Sequence, residues 1–106
     1  MPRQHERVPY LTETVLEFAS GRREARISDL SEGGCYVECL CPVRPGDVVR
    51  LEIGLPGAVA AVPVEGEVTY TFEGMGFGVR FVNLSDDAGL RIGCLVASME
   101  PASQVG

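Results

Sequence analysis

The chain has no tryptophan and no lysine, a single histidine, and no apolar run near the roughly 20 residues that a membrane-spanning helix needs. Each absence narrows the possibilities. Without tryptophan, and with aromatics at only 7% of the residues, a core must be built mainly from valine, leucine and isoleucine. The lone histidine, His5, would have to reach Ser31 to make a Ser–His–Asp hydrolase, and no G-x-S-x-G element is present to support one. Gly74-Met75-Gly76-Phe77-Gly78 lacks the Lys-Ser/Thr that completes a phosphate loop and reads as part of a hairpin. No enzyme and no catalytic residue is expected. The opening, Met1-Pro2-Arg3-Gln4-His5, lacks the apolar stretch of a secretion signal, so the expected place is the cytoplasm, with no membrane insertion.

What is present is an acidic body with a local concentration of guanidinium groups. The formal charge is −6, which disfavours non-specific contact with nucleic acid. No arginine/aromatic stripe crosses the strands, so no nucleic-acid partner is expected. All nine basic residues are arginine, and Arg3, Arg7, Arg22, Arg23 and Arg26 all precede Ile27. A cationic site on an acidic body suits a small anion better than a long polyanion. Cys35, Cys39, Cys41 and Cys94 do not follow a zinc-knuckle spacing, and they read as buried reduced thiols rather than a metal site. No metal and no cofactor is expected.

At 106 residues the chain suits one domain, 1–106, with one modest core. Pro2 and Pro9 oppose regular structure in residues 1–9, which read as a flexible arm. From residue 11 the apolar residues alternate. The spacing predicts strands over 11–19, 23–28, 35–41, 48–55, 61–73 and 76–82. Leu16, Phe18, Ala25, Ile27, Val49, Leu51 and Ile53 are expected to face inward. In the fifth strand Val62, Val64, Val68, Tyr70 and Phe72 are assigned inward, and Gly66 is a candidate bulge. Six short antiparallel strands in so small a chain avoid exposed edges best by closing into a barrel over residues 10–83. Ser85 then caps a short helix within 84–99, with Asp86 and Asp87 in its first turn and Leu84, Ala88, Ile92, Leu95 and Met99 as its apolar stripe.

Two motifs remain. Arg3-Gln4-His5-Glu6-Arg7 is an R-x-x-x-R pair, and Asp29-Leu30-Ser31-Glu32-Gly33-Gly34 is a D-x-S-x-x-G turn. Guanidinium groups pair bidentately with phosphate or with the O6/N7 edge of guanine, and a carboxylate accepts from the guanine N–H groups that arginine cannot satisfy. With Gly76-Phe77-Gly78-Val79-Arg80-Phe81 near the end, these motifs resemble the PilZ domain family, bacterial receptors for cyclic di-GMP. The resemblance implies an all-β fold, a six-stranded antiparallel Greek-key barrel with a short C-terminal helix. It also implies a cyclic di-GMP site formed by Arg3, Arg7, Asp29, Ser31 and Gly34. Ordering of the arm by ligand would then signal to a downstream protein, whose identity is open. Many members carry a further arginine just before the pair, where this chain has Pro2, which favours one bound ligand over a stacked pair. The alternative is a PilZ-like interaction module that binds no nucleotide and serves pilus or motility assembly.

Overall fold

A computed structural model describes residues 7–57 and 60–99. Six strands, β1 (Val8–Phe18), β2 (Gly21–Leu30), β3 (Gly34–Glu38), β4 (Val48–Ile53), β5 (Val62–Phe72) and β6 (Gly76–Val82), precede one helix, α1 (Asp86–Met99). The strands close into an antiparallel barrel in the order β1-β2-β3-β6-β5-β4. β4, β5 and β6 form a meander whose last strand returns beside β3, which is the Greek-key connection expected of the fold. No helix among the described residues is long and apolar enough to cross a membrane.

Alternation places the core. Leu16, Ile27, Val37, Val49, Leu51, Ile53, Val68, Phe77 and Val79 point into the barrel, and Ala88, Ile92 and Val96 of α1 join the same apolar cluster. Val96 thus belongs to the helix's buried stripe, with Leu84, Leu95 and Met99 half-buried beside it. The Ser85 hydroxyl accepts from the Ala88 amide at 3.0 Å, so the expected N-cap is in place. The three-residue loop Glu73-Gly74-Met75 joins β5 to β6, and Gly74 there has φ +79°, which glycine adopts without a Cβ clash.

The barrel closes unevenly. β1 and β4 share the backbone pair Glu17↔Arg50, and toward the other end side chains span the gap. Thr14 Oγ1 accepts from the Glu52 amide at 3.0 Å and donates to its carbonyl at 2.6 Å. The Tyr10 hydroxyl donates to the Gly54 carbonyl.

Several expectations are corrected. β1 starts at Val8, because Val8 and Pro9 already pair with Leu30 and Asp29. β3 ends at Glu38, so Cys39 and Cys41 lie beyond it and are half-buried; only Cys35 is fully buried, and Cys94 is exposed. Gly66 pairs regularly with Val49 and Phe81 and is no bulge. Its missing side chain makes room for Val79, whose Cγ1 a Cβ would strike. The register slips instead at Thr69, between Val68↔Val79 and Tyr70↔Gly78. That slip turns Tyr70 and Phe72 to the outer face, and Phe72 is 56% exposed.

Candidate functional site

The two motifs meet on the outside of the barrel. β2 changes phase at Ser28: Ile27 and Leu30, three residues apart, are both fully buried, while Asp29 between them turns outward. The register slips there toward β3, from Ile27↔Val37 to Asp29↔Tyr36. Arg7 stands immediately before β1, the strand that pairs with β2. Its Nη1 donates to Asp29 Oδ1 at 3.2 Å and to the Tyr70 hydroxyl at 3.4 Å. The side chains of Arg7 and Asp29 retain 37% and 31% of their exposure, so both remain reachable by a ligand.

Around this pair lies an aromatic surface of Tyr36, Tyr70 and Phe72, the last two turned outward against the expectation that they face the core. Tyr36 and Tyr70 flank Gly78, which pairs with both of them. A Cβ on Gly78 would strike the Tyr70 ring, so that ring lies directly across the glycine. The Tyr36 and Tyr70 centroids are 6.2 Å apart with planes 27° from parallel, and Phe72 meets Tyr70 edge-on at 5.3 Å. The Tyr36 hydroxyl is buried and finds no hydrogen-bond partner among the described residues. Burial raises the Tyr36 phenol, with the nearby Tyr70, Glu38 and Asp29 adding to the effect.

Ser31 and Gly34 shape the bend that follows Asp29. The Ser31 hydroxyl accepts from the amides of Gly33 (3.2 Å) and Gly34 (3.0 Å) and donates to the Gly34 carbonyl (3.2 Å). At 4% exposure it is committed to its own turn. The Phe81 amide donates to the Gly33 carbonyl at 2.8 Å, which fastens the turn to β6. Gly34 lies against the backbone of β6, where a Cβ would strike the Val79 carbonyl. Close approach, not a positive φ, therefore requires glycine here. Arg3 lies outside the described residues.

This surface is open. One concavity of 530 Å³ runs along the β1–β4 seam, and another of 550 Å³ lies between Phe72 and the Cys39–Val43 segment; Arg7, Asp29, Ser31 and Gly34 line neither. A ligand on so open a face needs groups that reach over it from outside. Chemically, the site offers a planar cation, a carboxylate acceptor, a phenol and exposed ring faces within one short span. That set fits a flat, hydrogen-bonding, anionic molecule. Among the described residues, no three His, Cys, Asp or Glu side chains are placed to hold a metal ion.

Comparison with known proteins identifies the family and the fold. The family model described as "PilZ domain" matches residues 2–98. The fold superimposes on the Bacillus subtilis inhibitor of motility, MotI/DgrA, with a TM-score of 0.74 at 17% identity, over 92% of this chain and 51% of that one. It also superimposes on the Borreliella burgdorferi PlzA protein, solved in complex with c-di-GMP, with a TM-score of 0.66 at 17% identity, over 86% of this chain and 39% of that one. The chain thus spans about half, or less, of the length of these two structures. No curated protein sequence matches it.

Proposed function

Because the chain belongs to the PilZ domain family, a family of receptors and adaptors rather than enzymes, we propose that it is a cytoplasmic receptor for cyclic di-GMP. The observation that carries this is the Arg7–Asp29 contact at 3.2 Å, which joins the R-x-x-x-R motif to the D-x-S-x-x-G motif on one exposed face. PlzA, solved with c-di-GMP, has the same fold, which supports the choice of ligand.

Each residue has a distinct role. Arg7 exchanges its bond to Asp29 for a bidentate pair with phosphate or with a guanine edge. Asp29, released, accepts from the guanine N1–H and N2–H groups. Arg3 supplies the second guanidinium and closes over the ligand from outside. Ser31 and Gly34 fix the bend that holds Asp29, and Ser31 reaches the ligand only by leaving its turn bonds. With Pro2 before the motif, one ligand molecule binds. Binding ties residues 1–6 to the barrel and so changes the surface offered to a downstream protein. Slower amide exchange across those residues in the bound state would register that step.

Arg7→Ala and Asp29→Asn test the assignment. Both positions are half-exposed and carry no core packing, so both variants are expected to keep the parent's circular dichroism and melting profile. In a calorimetric titration with cyclic di-GMP, Arg7→Ala is expected to weaken binding by at least about tenfold, as loss of a charged hydrogen bond implies. Affinities equal to the parent's in both variants would remove these residues from the site.

A further inference from the structure

The geometry points to a second component of the ligand site that the two motifs do not contain: the outer-face aromatic surface of Tyr70 and Phe72 is a purine-stacking platform. This rests on the receptor reading and deepens it. Tyr70 is held from three directions. Its ring lies over Gly78, Tyr36 stands beside it, and its hydroxyl accepts from Arg7 at 3.4 Å. A ring held in this way loses little freedom when a base settles on it, which favours stacking. Phe72, edge-on to Tyr70, is 56% exposed in a chain that otherwise uses its few aromatics sparingly. The surface is continuous with Arg7 and Asp29, so a base stacked on it has guanidinium and carboxylate groups at its edge. Guanine has the flat face for the rings and the N–H and O6/N7 groups for the charges, and the phosphates remain for arginine.

Phe72 is the position to test, since it is exposed and makes no hydrogen bond. The chain has no tryptophan, so Phe72→Trp introduces the only indole, and its emission can be excited where tyrosine and guanine absorb little. Saturating cyclic di-GMP is expected to quench that emission. Phe72→Ala is expected to bind about tenfold more weakly, the loss that one unstacked base implies. Phe72→Leu keeps apolar bulk without a π face and is expected to weaken binding similarly. Unchanged indole emission in the bound state, or Phe72→Ala and Phe72→Leu binding within about twofold of the parent, overturns the platform and leaves the receptor reading standing. Failure of the parent protein to bind cyclic di-GMP overturns both.

Discussion

Asp29 reaches the outer face because β2 does not alternate cleanly through Ser28. Uninterrupted alternation from Ile27 would bury Asp29 and expose Leu30. The phase change does the reverse, and Cys35, paired with Leu30, goes inward with it. Cys35 is fully buried, and burial pushes its thiol up to about 12, with Asp29 adding to the rise and Arg7 opposing it. The sign of the consequence is definite. An unfolded thiol ionises near its ordinary 9.0, while the folded one stays protonated to about 12. Stability from this group is therefore complete below pH 9 and is lost as pH climbs from 9 to about 12. The expected slope is ~1.4 kcal/mol per pH unit. Burial also raises Tyr10, Tyr36 and Cys41, which add to the same trend. Denaturant melts across that range should fall more steeply for the parent than for Cys35→Ala; parallel curves would contradict the account. At neutral pH a thiol reagent should label exposed Cys94 readily and Cys35 only on unfolding.

At the scale of elements, the seam between β1 and β4 is the barrel's weak closure, and Thr14 spans it. Thr14→Val keeps the shape but leaves the Glu52 amide and carbonyl without the Thr14 hydroxyl. The expected loss is ~1–3 kcal/mol in urea unfolding, seen as a lower midpoint at unchanged slope, with Thr14→Ser recovering much of it. An unchanged midpoint for Thr14→Val would show that the splint contributes nothing. The strands themselves were legible in the sequence wherever alternation ran unbroken, as in β4 and β6. It misled where the period slips. Tyr70 and Phe72 continue the apolar parity of Val62, Val64 and Val68, and only the slip at Thr69 turns them out. The signal was nonetheless present in the hairpin. With Glu73-Gly74-Met75 as the loop, Phe72 faces Gly76 and Thr71 faces the buried Phe77, so Phe72 must lie on the opposite side from the core. The two motifs stood out by their order and chemistry, and the structure brings Arg7 of one to Asp29 of the other. That Ser31 is bound within its own turn was not, because an Asp-x-Ser sequence suits both self-bonding and ligand contact.

The whole molecule is an acidic barrel that offers a cation, a carboxylate and aromatic faces on one open outer surface. Its net charge of −6 repels a dianionic ligand at long range, so binding must depend on close guanidinium contacts rather than on steering. On the proposed reading, such contacts would distinguish a guanine dinucleotide from other anions by geometry. GTP and cyclic GMP have the same base but cannot present two guanines joined through a closed phosphate ring. The most direct test is calorimetric titration of the purified protein with cyclic di-GMP, alongside GTP and cyclic GMP. The account predicts saturable binding of about one cyclic di-GMP per chain at micromolar concentrations or below, with no comparable heat from either control. No heat from cyclic di-GMP, or equal binding of all three nucleotides, would contradict it.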